Sequence, residues 1–264
     1  MLNLLYADLF KLRKTITMKV LLIVMSLSAI GFAAFSHFIA NGTIDKSSAG
    51  NISALSEVMM MSLLTAIMLG TIVCTDFETK SIHDSVACGN GRFSIVVSKA
   101  ITFTIVSIIL ILPYALTVIV CYCTNISFED GVVLSTTLNI ISEVNDGISI
   151  SEIVKIIAIF LVQAVMFAAR MSIVLPLTFK IKKSFIITAV GFGISGVIDL
   201  LINTISDVDI VKKIISFTPY NSKNLVLSLG TSAGSLLKIF VASVIFITIM
   251  VFISYNVFKK SEIK

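Results

Sequence analysis

The stretch Val96–Tyr122 reads VVSKAITFTIVSIILILPYALTVIVCY, and in its 27 residues Lys99 is the single charged side chain. As a helix rising 1.5 Å per residue it covers about 40 Å, more than the roughly 30 Å of a bilayer's hydrocarbon core. Five further runs share this character: Val20–Ala40, Leu55–Cys74, Ile153–Phe179, Ser184–Ile205 and Leu236–Phe258. Polar residues do not recur on one face of any of them, as they would in an amphipathic helix of a soluble protein. The pattern predicts an all-α polytopic membrane protein with six transmembrane helices.

Composition agrees. The chain is 57% hydrophobic and 13% charged, with a mean hydropathy of +1.05, whereas soluble domains carry about 25% charged residues. Its 264 residues suit one membrane domain, 1–264, without a second folded unit. The net charge of +5 sits in short clusters at helix ends, where anionic headgroups attract it. Without a basic stripe interleaved with aromatics, no nucleic-acid partner is expected. Cys74, Cys88, Cys121 and Cys123 do not form a disulfide framework, and the two histidines, His37 and His83, are expected on opposite membrane sides, so no metal site is expected. The first run is long for a signal-peptide core and lacks a small-residue cleavage site, which reads as a retained helix.

Basic residues fix the orientation. Thirteen lie in alternate segments (Lys11, Arg13, Lys14, Lys19; Lys80, Arg92, Lys99; Lys180, Lys182, Lys183; Lys259, Lys260, Lys264), against four in the segments between them (Lys46, Lys212, Lys213, Lys223). The positive-inside rule then places both termini in the cytoplasm. Within the leading segment, 1–19, Leu5, Leu9 and Leu12 share one helical face while Asp8, Lys11 and Lys14 take the other. This is the profile of an interfacial helix, or of a basic topology signal that happens to be helical. The outer loop Cys123–Glu152 is acidic (Glu129, Asp130, Glu143, Asp146, Glu152), which keeps it solvated or attracts a cationic ligand. The last outer segment, 206–231, offers an amphipathic stretch Val208–Phe217, a break at Pro219 and the apolar Asn224–Leu229. It reads as a partly inserted broken helix, buried in protein, or as a helix lying flat on the outer leaflet.

Ionisable residues inside the spans are few: Arg170, Asp199 and Glu57, the candidates for an intramembrane or translocation path. Arg170 is expected to snorkel towards the cytoplasmic interface and Asp199 to lie near the outer one, so no embedded carboxylate network of an ion-coupled transporter is expected. Gly191-Phe-Gly193-Ile-Ser-Gly196 matches a dinucleotide fingerprint, but inside an apolar span it lacks the strand-to-helix setting the chemistry needs. Ala189 with Gly193, and Gly191 with Ser195, instead have the small-xxx-small spacing that lets helices approach closely. Three glycosylation tripeptides (at Asn41, Asn51 and Asn125) fall on the outer side. No phosphate loop occurs, so any ATP must be bound by another chain. His83 and Asp84, with Ser81 and Ser85, form no protected nucleophile–base pair, and no catalytic residue is assigned.

The segment after the second run carries the function: Asp76-Phe-Glu78-Thr-Lys80-Ser81-Ile82-His83-Asp84-Ser-Val-Ala-Cys88-Gly-Asn-Gly91-Arg92, leading to Ser98-Lys99. Charged residues open it, Phe77, Ile82 and Val86 share a flank of a short helix, and Gly89-Asn90-Gly91 ends that helix. Arg92 starts the next. A short helix between two spans is a grip for a soluble partner.

This loop, 75–95, resembles the first cytoplasmic loop of the permease subunits of type-2 ABC exporters (ABC-2, type V exporter-like). Glu78, Ser81-Ile82, Gly91-Arg92 and Ser98-Lys99 fill that family's places, with Gly91 where Ser is usual. The basic interfacial N-terminus, the six spans and the broken segment at Pro219-Tyr220 extend the resemblance over the whole chain. It implies a coupling helix seated on an ABC ATPase subunit, with Asp76, Glu78, Lys80, Ser81, Ile82, His83, Asp84 and Arg92 as the coupling surface. ATP and Mg would be bound by the ATPase and no cofactor by this chain. A second permease chain, identical or a sister, would complete the path through the bacterial plasma membrane. Size is most similar to permeases of lantibiotic-immunity and bacitracin-type resistance systems, which export or extract peptide antibiotics or lipid-like compounds. The rival reading is a membrane scaffold or sensor that relays outer binding to a cytoplasmic partner; a stand-alone enzyme comes third.

Overall fold

The computed structural model describes residues 2–44, 50, 53–124, 135–142, 150–205, 215 and 218–261. Among these, every regular element is helical. Helix α1 (Leu2–Lys14) meets α2 (Ile16–Ala40) at an elbow on Thr15, whose φ of −69° and ψ of 131° interrupt the helix. Helix α3 runs Glu57–Glu78, α4 Ser81–Ala87, α5 Arg92–Thr124, α6 Thr136–Ser142, α7 Ile150–Ile181, α8 Ser184–Ile205, α9 Ser222–Leu225 and α10 Ala233–Lys260. Six of them (α2, α3, α5, α7, α8, α10) are long and apolar enough to cross a membrane.

Local chemistry explains the interruptions. Over Gly70–Cys74, α3 loosens into a π-helix, a form that concentrates at functional sites. In α7 a 3₁₀ turn at Ser172–Val174 precedes Pro176, whose missing N–H cannot join an uninterrupted ladder. Two lysines hold left-handed backbone, Lys80 (φ 60°) between α3 and α4 and Lys182 (φ 58°) between α7 and α8. That region is uncommon for non-glycine residues, and here each lysine sits in a two-residue link between helices.

Helices α3, α5 and α7 form the centre, with α2 against α5, α8 against α3, and α10 against α5 and α7. In the apolar window of α3 61% is buried, against 17% in α8 and 22% in α10, so the last two lie at the periphery. Their outward rows, Val197, Leu200 and Leu201 on α8 and Leu237, Val241 and Phe252 on α10, are exposed. Lipid tails satisfy such surfaces as well as protein does, so close backbone approach does much of the holding. Gly70 supplies it: a Cβ there would lie 3.0 Å from the Ser184 carbonyl oxygen and from the Thr188 hydroxyl. Gly191 does likewise against the Cβ of Ala66, at 3.3 Å, and Ser195 beside it is buried. The second small pair faces away: Ala189 is exposed and Gly193 has open space around it. One of the two stripes on α8 therefore packs and the other does not.

After Thr218 the chain turns at Pro219, and Tyr220 and Leu227 are buried against the bundle. The acidic residues Glu129, Asp130, Glu143 and Asp146, the tripeptides at Asn51 and Asn125, and all of the amphipathic stretch 208–217 except Ile215 lie outside the described residues.

Candidate functional site

The end of the bundle that carries α1, α4 and the end of α10 holds an interlocked set of aromatic and charged side chains. Helix α3 delivers Asp76, Phe77 and Glu78 there in one turn. Phe77 is buried and meets Phe179 of α7 edge-on (centroids 5.9 Å, 83°) and Phe258 of α10 likewise (6.1 Å, 85°). Phe179 and Phe258 pack at 5.0 Å. Three spans are thereby pinned at one level by aromatic contacts that contribute about 0.5–1.5 kcal/mol each beyond burial. Helix α4 then begins, with Ile82 1% exposed as its anchor, and ends where Gly89 takes φ +84°. Lys80, Asp84, Ala87 and Cys88 face outwards.

A charge network binds this helix to its neighbours. The Lys99 ammonium donates to Asp8 of α1 at 2.7 Å and also to Asp76 of α3. Asp8 also accepts from the Ser98 hydroxyl at 3.2 Å. Lys11 reaches from α1 to Asp76 (3.3 Å) and to the Ser81 hydroxyl of α4 (2.6 Å). The side chains of Asp8 and Lys99 are 7% and 4% exposed, that of Lys11 51%. The buried pair therefore governs the network, because removing one partner of a buried ion pair costs about 3–5 kcal/mol, while an exposed pair contributes at most about 1 kcal/mol.

Glu78 is exposed and Arg92 half-buried, and each is bonded to backbone of a neighbouring helix. A Glu78 carboxylate oxygen accepts the Ser184 N–H at 3.0 Å, placing negative charge at the start of α8. The Arg92 guanidinium donates to the carbonyls of Phe258 (3.0 Å), Lys259 (2.8 Å) and Ser261 (3.4 Å), capping α10. Of the eight residues assigned to coupling from sequence, Asp76, Glu78, Ser81, Ile82 and Arg92 thus fix the loop to the bundle. Lys80 and Asp84 are exposed and His83 half-buried.

The three ionisable residues of the spans do not form one path. Arg170, expected to reach for the interface, is 1% exposed and paired with Asp199 of α8. Its guanidinium lies 5.3 Å from the Tyr220 ring centroid, and the Tyr220 hydroxyl donates to its backbone carbonyl. Arg170 turns inwards because α7 presents its buried face at this level, where α8 and the 218–220 turn supply partners. Burial pushes the Tyr220 phenol above its ordinary range. Glu57 lies in the first turn of α3 and is fully buried. It accepts from the hydroxyls of Ser135 (2.7 Å) and Thr137 (3.1 Å) and from the N–H of Thr136. The Thr136 hydroxyl joins this cluster to Gln163 of α7 (3.0 Å) and to the Leu227 N–H (3.1 Å). This single buried carboxylate, held by hydroxyl and N–H donors, fixes α6 and the segment before α10 against the bundle.

The sequence gives no sign of Gly70 and Gln163 as site residues, and it names Asp8, Lys99 and Tyr220 without the contacts they make here. Lys99 carried a signal, as the lone charge in its run. Asp8 is the single acid among the basic residues of segment 1–19, and although the helical pattern puts it on the polar face of α1, it is 6% exposed. Among the described residues no three His, Cys, Asp or Glu side chains gather as a metal-holding group. No protein-family model matches the chain, and no curated protein matches it in sequence.

Proposed function

We propose that this chain is the permease subunit of an ATP-driven type-2 ABC exporter, with α4 as the helix that a nucleotide-binding subunit grips. The observation that carries the reading is the mounting of α4. A seven-residue helix with an outward row of Lys80, Asp84, Ala87 and Cys88 is fixed at its root to α1, α3 and α5 through Lys11, Asp76 and Lys99. Through Phe77 the same root bears on α7 and α10. Force applied to α4 is delivered to five other helices at once, as a coupling element requires.

In this reading both termini and α4 are cytoplasmic, and two permease chains pair in the bacterial plasma membrane above two ATPase subunits. ATP binding draws the two α4 helices together. The π-helical segment Gly70–Cys74, one turn from Asp76, is where α3 yields. Each access state must bind the nucleotide-loaded partner with different affinity, since that difference supplies the work. The cargo is an amphipathic compound, a peptide antibiotic or lipid-like molecule, and the physiological role is self-immunity or resistance.

Purification of the tagged chain from its host in mild detergent tests this. The expected result is a stoichiometric ATP-binding subunit that is lost with Asp84→Lys, an exposed position whose reversal leaves the buried anchors intact. A chain that emerges without a nucleotide-binding subunit transfers support to the scaffold or sensor reading.

A further inference from the structure

Between α1 and the ends of α3 and α5 lies an open cavity of about 510 Å³. Its lining combines the charged Lys11, Lys14 and Asp76 and the more deeply set Asp8–Lys99 pair with the apolar Phe10, Leu12 and Ile72. Charged groups beside apolar ones, at the end of a membrane-spanning bundle, have the polarity profile of a phospholipid's headgroup joining its chains.

Two observations favour an external ligand at this site. Thr102 borders the cavity one turn deeper than Lys99, is fully buried, and its hydroxyl has no hydrogen-bond partner. Neighbouring span threonines behave differently: Thr71, Thr75 and Thr104 all donate to a backbone carbonyl of their own helix. A buried hydroxyl without a partner costs about 1–3 kcal/mol, so a ligand acceptor at this depth is favoured. The second observation is charge. Asp8 and Asp76 are matched by Lys99 and Lys11, which leaves Lys14 in excess; among the described residues it pairs with no acid, its ammonium lying 4.8 Å from the Phe10 ring centroid. Arg13 and Lys19 adjoin it around the α1–α2 elbow.

We propose that this cavity binds an anionic phospholipid, its phosphate on Lys14 with support from Lys11, and a glycerol-ester oxygen accepting from the Thr102 hydroxyl. The lipid's chains follow Phe10, Leu12 and Ile72 into the membrane. Because Thr71 and Ile72 belong to the π-helical segment and also border the cavity, occupancy bears directly on that part of α3. The site stands whether or not the chain is a permease.

The chemistry recognised is a phosphoester, which a lipid or a soluble glycerophosphate can present, so the test separates them. Native mass spectrometry of the purified full chain, exchanged into matched phosphatidylglycerol or phosphatidylcholine micelles, should show selective retention of phosphatidylglycerol. Lys14→Gln should lower retention about fivefold, the effect of one basic residue at an anionic surface, and Thr102→Val should lower it as well. Lys260→Gln, an exposed charge at the same end outside the cavity, should leave it unchanged. Equal losses for Lys14→Gln and Lys260→Gln with none for Thr102→Val would overturn the site in favour of general charge attraction. Displacement of the lipid by equimolar sn-glycerol 3-phosphate would overturn the lipid as its occupant.

Discussion

Replacing Lys99 by Met keeps the length and volume of the side chain but removes the ammonium that Asp8 and Asp76 share. Two carboxylates, 7% and 15% exposed, are then left within reach of one vacated point, with only the half-exposed Lys11 as a counter-charge. The cost of stranding a buried partner, about 3–5 kcal/mol, falls on the attachment of α1, because Asp8 is the polar anchor of that helix. At 1.4 kcal/mol per tenfold, its opening equilibrium should shift by roughly two to nearly four decades. Hydrogen–deuterium exchange of the purified chain reads this directly, as faster exchange confined to α1 and α4 while the central amides of α5 and α7 stay protected. Asp8→Asn combined with Lys99→Met should recover most of the protection, since an amide at position 8 still meets the Ser98 hydroxyl and the one remaining carboxylate, Asp76, keeps Lys11. Unchanged exchange of α1 in the single variant would refute the argument that this buried pair holds the helix.

Gly70→Val should lower the thermal midpoint by the equivalent of about 1–3 kcal/mol, since backbone of α8 lies 3.0 Å from the added carbon, whereas Gly193→Ala should be neutral because nothing lies within 4 Å; differential scanning fluorimetry of the two separates a packed stripe from an unpacked one. Glu57→Gln should expose α6 to exchange, because an amide –NH₂ would face donors from Ser135, Thr136 and Thr137, with each lost charge-assisted bond costing about 1.5–3 kcal/mol. Arg92→Met should fray the last turn of α10, seen as faster exchange at Val257–Ser261, for the loss of three carbonyl contacts. The exposed cysteines lie at opposite ends of the bundle, Cys88 after α4 and Cys123 at the far end of α5, so a membrane-impermeant maleimide on intact cells should label Cys123 and spare Cys88; the reverse pattern would invert the proposed orientation.

The spans were legible because length and apolarity are local properties: the run Val96–Tyr122 became α5, and Gly89 and Arg92 marked the end of one helix and the start of the next. What the sequence hid depends on rotation and on partners distant along the chain. Lys99 resembled a topology charge, and nothing local shows that it bonds an aspartate 91 residues away. Arg170 looked long enough to reach water, but α7 turns it towards Asp199 on the next helix and the Tyr220 ring beyond. The stripes Ala189/Gly193 and Gly191/Ser195 have the same spacing, and the choice between them follows from how Gly70 lets α8 settle on α3. Glu78 and Arg92 appear in the loop as surface charges, yet their partners are backbone groups of α8 and α10, which no side-chain pattern announces.

The central claim is that α4 is the surface on which an ATPase subunit acts, and Cys88 offers a native probe at its exposed end. Treating membranes from the host with a short bismaleimide and sequencing the adducts of this chain is the most direct measurement. The account predicts a cross-link from Cys88 to a subunit bearing a phosphate loop, weakened by Asp84→Lys. Cross-links from Cys88 to other proteins only, with no nucleotide-binding chain among them, would contradict it.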